Sequence, residues 1–390
     1  MRNVWILTLA QAFAACGTIV LVSFGGIVGT HIAPTPMLAT LPLSMSVIGL
    51  ASMSLPAALL MQRIGRKPAF IGSALVAACA AVLAATAVAN GNFVLLCIAG
   101  FFLGSNMAFV QQYRFAAMEF VGSELAGRAV STVMIGTLVA AFVGPTLGGA
   151  VSNVGGLPQY TVSFLALSCL CLIAALVLTR LPASMPSQRA AQGGESRSVG
   201  SMLRDSRYRL AVLAGLASYA VMSFIMTATP LSMHVHDGFS TTETTTVITA
   251  HLLGMYLPSL ATPWLIARLG IRTMMATGIA INIVCIGISA FVGHHFIHYF
   301  SALVLLGVGW NLMFVAATSL LSTTYAPAER FRAQGFNDLA VFGSQAIASL
   351  FAGVAIETLG WQVLNVATLP LLLWVAWSMR QVDAPHSARS

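Results

Sequence analysis

Apolar runs of about twenty residues recur from one end of this chain to the other, and they limit its possible folds more than any other feature. A helix needs about 20 such residues to cross the hydrocarbon core of a bilayer. Backbone groups that face lipid must satisfy their own hydrogen bonds, so only helices or a closed barrel can span it. The runs are continuous rather than alternating, which favours helices. The sequence therefore predicts an all-α membrane protein.

The composition agrees with this prediction. Charged residues make up 7% of the 390 residues, whereas a soluble domain carries about 25%. The formal net charge is +8, but the lysines and arginines form no stripe on a soluble face, so we expect no nucleic-acid partner. The six cysteines fall inside apolar runs, and we interpret them as small buried apolar residues.

The runs define twelve predicted transmembrane helices, here called spans 1 to 12. Their approximate limits are 5–29, 38–61, 68–89, 93–116, 127–151, 160–180, 209–231, 246–266, 273–292, 298–322, 333–356 and 362–379. A polar, basic segment rich in Ser, Gly and Pro separates two sets of six. We therefore predict an N-terminal six-helix bundle (1–181), a cytoplasmic linker (182–208), a C-terminal six-helix bundle (209–380) and a cytoplasmic tail (381–390).

The cationic residues indicate the orientation. If the N-terminus is cytoplasmic and the chain alternates sides, all 18 Lys and Arg lie in cytoplasmic segments or within a few residues of them. Loops rich in Lys and Arg stay on the cytoplasmic side. We expect a multi-pass protein of the bacterial inner membrane with both termini cytoplasmic. A cleaved lipoprotein signal ending before Cys16 is the alternative, and it would cut through span 1.

The two halves of the chain resemble each other at an offset near 205 residues. MQRIGRKPAF (61–70) matches IARLGIRTMM (266–275), GSNMAFV (104–110) matches GWNLMFV (309–315), and GRAVSTV (127–133) matches FRAQGFN (331–337). Two parallel six-helix repeats joined by a long loop are a known transporter plan, with the substrate site near the bilayer midplane between the repeats.

At these residues the chain resembles the major facilitator superfamily. RIGRK (63–67) is similar to the second half of the family's signature between spans 2 and 3, a Gly followed by Asp-Arg-x-Gly-Arg-Arg/Lys. The resemblance implies the family's twelve-helix fold. It gives gating roles to Arg63, Gly65, Arg66 and Lys67. The family's Asp is Gln62 here, so a charge contact that holds the cytoplasmic gate in the family lacks its acid. A topology anchor is the alternative interpretation of this cluster.

Span 5 contains a second motif, GPTLGG (144–149), which is similar to the family's Gly-Pro-x-x-Gly-Gly signature. The motif is common in proton-driven exporters of the family, although it is not exclusive to them. The resemblance gives gating roles to Gly144, Pro145, Gly148 and Gly149. A close-packing device without a role in transport is the alternative, because proline bends a helix and glycine allows close approach.

Other stretches resemble a proteobacterial branch of short transporters in this family. They include ATLPLSM (39–45), HLLGMYLPS (251–259) and FND (336–338). Some members of that branch are linked to riboflavin uptake, which makes uptake of a planar nutrient an alternative to export.

Two charged residues inside the spans are candidates for coupling, because such residues are costly in a membrane. Asp338 lies in span 11, about 9 Å deeper than Arg332. Desolvation penalises its charged form, so it could bind and release a proton. Arg114 lies near the end of span 4 and could bind an anionic group. A structural ion pair between the two is the alternative for Asp338, and snorkelling to headgroups is the alternative for Arg114.

Uncharged polar and aromatic residues complete the predicted substrate and coupling site. His251 could relay protons, and Asn106 and Asn311 occupy matching positions in spans 4 and 10. Interhelical hydrogen bonding and core packing are the alternatives for all three. The remaining candidates are Gln111, Phe109, Phe314, Trp310 and Tyr256, and the weaker ones are Gln11, Gln112, Tyr113, Tyr219, Asn337 and Gln345.

The sequence contains no pattern that predicts an enzyme or a cofactor. It has no P-loop, no Ser-His-Asp arrangement and no His-Glu-x-x-His motif. Two groups of histidines, at 234–237 and 294–298, could bind a metal, but they lie in different loops without a second carboxylate, so we predict no metal site.

We therefore predict a secondary transporter that moves a small amphipathic organic molecule by alternating access. Proton-coupled export of a drug or metabolite is the first hypothesis. Uptake of a planar nutrient such as riboflavin, or of a siderophore-like compound, is the alternative. A non-transporting membrane sensor is a remote third, because the linker and tail are too short for a signalling domain. The expected partners are the substrate, a coupling proton and the bilayer, with the protein as a monomer.

Overall fold

The computed structural model describes residues 1–35, 38, 41–154, 156–182 and 197–382. Most of the predicted linker (183–196) and tail (383–390) lies outside the described residues, as does the side chain of Pro145. The described residues contain helices and connecting turns but no strand, so the all-α prediction is confirmed.

The first six spans are separate helices that follow the predicted limits closely. Span 4 continues through a second helical segment after Gln112. The bounds are Arg2–Ile32, Leu41–Ile64, Arg66–Ala89, Phe93–Gln111 with Tyr113–Glu119, Ala126–Ala150 and Thr161–Leu178. A short helix, Val199–Met202, then precedes span 7.

The later spans are joined more tightly. Span 7 is Ser206–Pro230 and ends in a π-helical turn, Leu231–His236, and span 10 is Phe296–Leu321. Span 8 begins at Thr241–Tyr256 and passes through a 3₁₀ turn, Leu257–Leu260, into the helix Thr262–Phe291. That helix breaks at Gly270, where span 9 begins. Arg330–Val366 breaks at Gly360, which separates span 11 from span 12, and span 12 continues as Leu369–Val382.

Ten continuous helical stretches among the described residues are long and apolar enough to cross a membrane. The last of them, Arg330–Val382, has 53 residues and contains two of the predicted spans. Span 8 is not among the ten because its helix Thr241–Tyr256 has only 16 residues before the 3₁₀ turn. The helical segments therefore account for all twelve predicted spans.

Span 8 begins with a capping box. The Ser240 hydroxyl accepts a hydrogen bond from the Glu243 backbone N–H, and the Glu243 carboxylate accepts from the Ser240 backbone N–H. The hydrogen bonds that the carboxylate accepts from the Ser240 hydroxyl and from the Ser240 backbone N–H lower the pKa of the Glu243 carboxyl, which lies ahead of the apolar part of the span. The backbone N–H groups of Ser240 and Glu243 thereby find hydrogen-bond partners within the same segment.

The chain divides into two compact units. The first contains Met1–Glu124, Thr132–Glu195 and Pro327–Leu339, and the second contains Leu125–Ser131, Ser196–Ala326 and Ala340–Ser390. Each unit thus includes a short segment from the other half of the sequence, namely the beginning of span 11 in the first unit and the beginning of span 5 in the second. The predicted bundle limits at 181 and 209 stay predictions.

A glycine allows a close helix crossing at an equivalent pair of spans in each unit. In the first unit, a Cβ on Gly104 of span 4 would overlap the Ser46 carbonyl of span 2. In the second unit, a Cβ on Gly307 of span 10 would overlap the His251 backbone of span 8. Both crossings therefore require glycine, and both join equivalent spans of the repeat.

The loops that open spans 3 and 9 share one backbone conformation. Gly65 has φ 90° and ψ 163°, and Gly270 has φ 79° and ψ 160°. This region of backbone space is essentially restricted to glycine. The two glycines are aligned in the sequence repeat, so the two halves share a backbone conformation as well as a sequence pattern at this position.

Candidate transport site

Asp338 is the most deeply buried carboxylate in the candidate site. Its side chain is 1% exposed and accepts hydrogen bonds on both oxygens. Arg114 donates to Oδ1 at 2.5 Å, Gln112 donates to Oδ2 at 2.7 Å, and Asn337 donates to Oδ1 at 3.0 Å. Buried charges are normally paired in this way. All four residues belong to the first unit.

Arg114 is oriented by its own helix. It is 3% exposed, donates to Gln111 Oε1 at 3.0 Å, and lies 4.6 Å from the centre of the Phe115 ring. The structure therefore brings together three predicted candidates, Asp338, Arg114 and Gln111. The guanidinium is directed at the carboxylate within the protein.

A second ion pair lies beside the first. Arg66 is completely buried and donates to both oxygens of Glu119, at 2.6 and 3.1 Å. It also donates to Gln334 Oε1 at 2.7 Å. Arg330 lies 3.6 Å from Glu119 Oε1, so two arginines share this carboxylate.

Gln112 joins the two ion pairs. Its Oε1 accepts from Arg66 at 3.3 Å while its Nε2 donates to Asp338. The result is one continuous polar network inside the first unit. We call it the span 4/11 network, and it consists of Arg66, Gln112, Arg114, Glu119, Arg330, Gln334, Asn337 and Asp338.

Sequence reasoning missed several members of this network. Glu119, which pairs with Arg66 and Arg330, was not among the predicted site residues. Gln334 and Arg330 were not predicted. A signal was present, because residues 330, 334 and 338 recur every four positions and so share one helix face.

The other residues of RIGRK have separate positions. Arg63 and Gln62 are exposed. Lys67 donates to the carbonyls of Thr179 and Leu181, at 2.7 and 2.6 Å, and so satisfies the end of span 6. Of the predicted gating residues in this loop, Arg66 alone enters the span 4/11 network through a side chain.

The glycines of GPTLGG pack inside the first unit. A Cβ on Gly148 would lie 2.7 Å from the Phe24 ring of span 1, and one on Gly144 would lie 3.3 Å from Ile19. Gly149 is looser, with its nearest neighbour, again Phe24, 3.9 Å away. The Gly148 carbonyl accepts from Ser163 of span 6 at 2.5 Å.

Aromatic rings cluster in the second unit. Trp310 and Phe314 stack with centroids 5.2 Å apart, and Tyr219 meets both edge-on at 5.2 and 5.0 Å. Phe342 and Tyr256 pack at the margin of this group, against Tyr219 and Trp310 respectively. The buried indole N–H of Trp310 has no hydrogen-bond partner among the described residues. Such a group is uncommon in proteins.

Asn311 holds the irregular part of span 8. Its Nδ2 donates to the Met255 carbonyl and to Ser259, at 2.7 and 2.8 Å, and its Oδ1 accepts from Thr262 at 3.1 Å. These three bonds surround the 3₁₀ turn after Tyr256. The amide therefore makes the interhelical contacts that were the alternative to substrate binding.

His251 is also packed between helices. It is completely buried, and its Nδ1 lies 2.8 Å from the Leu303 carbonyl, while Nε2 has no partner among the described residues. In the first unit, Asn106 is 4% exposed, and its Oδ1 likewise lacks a described partner. Phe109, one turn further along span 4, is buried.

The outer histidines form two separate contacts with carboxylates. His294 lies 2.9 Å from Asp237, which also accepts from Tyr299, and His236 lies 3.1 Å from Glu357. In the described part of the chain, no three potential ligands gather as a metal site would require.

Together, the helices and the buried network define a multi-pass membrane protein, and comparison with known proteins gives its class. The model of the Major Facilitator Superfamily matches residues 7–240 and 211–390. The chain belongs to this superfamily of membrane transporters and is not an enzyme. The predicted twelve-helix fold of the family is thereby confirmed.

Two curated relatives match almost the whole chain. The riboflavin transporter RfnT of Brucella anthropi is 39% identical over 375 residues, covering 96% of this chain and 94% of that protein. The uncharacterized transporter YddS of Bacillus subtilis is 26% identical, covering 98% and 92%.

Solved structures agree on the fold. The transporter FucP in its outward conformation has a TM-score of 0.78 at 16% identity, covering 98% of this chain and 99% of that one. The human organic anion transporter MFSD10 has a TM-score of 0.78 at 13% identity, covering 97% and 99%.

Proposed function

We propose that this chain takes up a flavin, with riboflavin as the reference substrate, across a bacterial inner membrane. The observation that carries the substrate is the 39% identity to a riboflavin transporter over 96% of the chain. Riboflavin is planar, amphipathic and uncharged at neutral pH, which agrees with a transporter whose spans contain few charges.

The aromatic cluster of the second unit supports a planar substrate. Flat rings bind well against aromatic side chains. The ring centroids of Trp310, Phe314 and Tyr219 lie within 5.2 Å of one another. The Trp310 indole N–H offers a donor for a ring carbonyl. We assign flavin-ring recognition to this cluster, with Tyr256 and Phe342 as its margin and Asn311 as a positioning residue.

The span 4/11 network supports coupling to protons. With Asp338 ionised, its contacts to Arg114 and Gln112 hold the beginning of span 11 against the end of span 4. A proton on Asp338 removes the charge that attracts Arg114 and so weakens this connection. Protonation therefore favours separation of the two helices, as alternating access requires.

Flavin fluorescence tests the substrate assignment. Purified protein is titrated with riboflavin, and quenching is compared between the wild type and Trp310→Leu. We expect wild-type binding and a loss of at least tenfold in the variant. Trp264→Leu is the matched control, because Trp264 is 54% exposed. Binding that is absent in the wild type, or unchanged in Trp310→Leu, contradicts the assignment.

Export of a lipophilic compound is the second candidate, and GPTLGG favours it. The direction of the response to a pH gradient distinguishes the two. A flavin importer accumulates substrate in cells when the medium is acidic, whereas a proton-driven exporter lowers accumulation under the same gradient. Gly148→Leu should stop either process, because the Phe24 ring leaves no room for a larger side chain.

A further inference from the structure

A pocket of about 350 Å³ lies in the second unit where four spans end. Arg207 opens span 7, Arg272 opens span 9, Leu320 ends span 10 and Met379 ends span 12. All four ends belong to the predicted cytoplasmic side of the membrane. Because membrane spans end near the headgroups, we expect the pocket at the depth where lipid headgroups meet the acyl chains.

The side chains that line the pocket are of two kinds, positively charged and apolar. Two arginines supply the charge, and both are exposed. Leu210 and Met275 add to the apolar side chains of the wall, and no carboxylate is among the described residues that line it. The pocket is thus cationic on one side and apolar on the other.

The arginines are held in place by neighbouring helix ends. Arg272 donates to the Met379 carbonyl at 3.2 Å, and Arg207 donates to Thr323 at 3.4 Å. Each guanidinium has five N–H donors in a planar fork, which matches the oxygens of a phosphate. These hydrogen bonds to the protein therefore hold both positively charged guanidinium groups beside the pocket.

We propose that this pocket binds the headgroup of an anionic phospholipid. The arginines would contact the phosphate, and the first carbons of an acyl chain would lie against Leu210 and Met275. Basic pockets between membrane helices on the cytoplasmic side are typical sites for anionic lipid headgroups. This site is separate from the flavin and proton sites and does not depend on the proposed substrate.

The volume limits what part of a lipid enters. At roughly 30 Å³ for each water-sized group, the pocket holds about a dozen such groups. That is enough for a phosphate, a glycerol backbone and a few carbons, so the rest of the acyl chains must lie along the outside of the helices. Arg268, four residues before Arg272 in the sequence, has its guanidinium 4.6 Å from the centre of the Trp264 ring. Tryptophan and arginine are typical anchors at the membrane interface.

Thermal unfolding of the full chain in detergent tests the proposal. Phosphatidylglycerol should raise the unfolding temperature, because a ligand that binds only the folded state stabilises it. Phosphatidylcholine and inorganic phosphate are the comparison ligands at equal concentration. We expect a clear rise with phosphatidylglycerol and little with the other two.

Variants separate the pocket from general lipid effects. Arg207→Gln combined with Arg272→Gln should weaken phosphatidylglycerol binding by about tenfold or more, since charge-assisted hydrogen bonds are lost. Arg209→Gln is the matched control, because Arg209 is exposed on the same helix but does not line the pocket. If the double variant does not fold, Arg207→Gln alone is compared with Arg209→Gln.

Three results would overturn the proposal. Equal stabilisation by phosphatidylcholine would show a general lipid effect. A full shift with inorganic phosphate alone would show an anion site without lipid recognition. Undiminished binding of phosphatidylglycerol by the arginine variants would place the lipid elsewhere.

Discussion

Each of the two units contains a short segment from the other half of the sequence, but the two units hold that segment by different contacts. The beginning of span 11 belongs to the first unit, and the beginning of span 5 belongs to the second. In the first unit, the segment is held by the ion pairs of the span 4/11 network. In the second, Gly127 packs against Ile266 of span 8.

The difference follows from a few positions in the repeat. At the offset of 205, Arg66 corresponds to Ile271, Arg114 to Ser319, and Glu119 to Thr324. The backbones of the two loops agree, as the glycines at 65 and 270 show. The charged residues at these positions therefore belong to the first unit alone, and our proposal of proton coupling rests on them.

The largest expected effect is the removal of Arg114. Arg114→Ala leaves the Asp338 carboxylate buried without its guanidinium, which should cost about 3–5 kcal/mol of stability. The double variant Arg114→Met, Asp338→Leu should recover much of this loss, since it removes both charges. Unfolding in detergent measures both. A single variant as stable as the wild type would show that the ion pair does not hold span 11.

A smaller loss of stability is expected when the loop before span 3 is given the residue of the loop before span 9. Arg66→Ile should cost about 2 kcal/mol, less than Arg114→Ala, because Glu119 is 12% exposed and keeps Arg330 nearby. The reciprocal Ile271→Arg is the control and should change stability by about 0.5 kcal/mol or less, since it lies at a partly exposed position. Equal losses in both variants would remove the distinction between the repeats.

The smallest expected effect compares two glycines of the exchanged segments. In Gly335→Ala, the new Cβ would lie 2.7 Å from Ala58 Cβ, which is fixed to the backbone, so we expect a loss of about 1–3 kcal/mol. In Gly127→Ala, the nearest atom is the flexible end of the Ile266 side chain, at 2.6 Å. The better helix propensity of alanine should offset that contact. Unfolding midpoints that rank the two variants in the opposite order would contradict this description of the packing.

The sequence was sufficient to predict the fold because a bilayer allows few kinds of structure to span it. Runs of about twenty apolar residues predict membrane helices, and the sequence repeat aligns Gly65 with Gly270, which share one backbone conformation. Asp338 and Arg114 were found because charges in spans are rare. Their partners were harder to predict, since contacts such as Arg66 with Gln334 join residues 268 positions apart. Asn311 was predicted by its position, but its three bonds to span 8 depend on a 3₁₀ turn that hydropathy does not reveal.

The most direct test of the central claim is riboflavin accumulation in proteoliposomes under an imposed pH gradient, acidic outside. We predict that the wild type concentrates riboflavin and that Asp338→Asn binds it without gradient-driven accumulation. Asp205→Asn is the control, because Asp205 caps span 7 outside the span 4/11 network, and it should behave as the wild type. Equal accumulation by Asp338→Asn and the wild type would contradict the claim that Asp338 couples protons to flavin uptake.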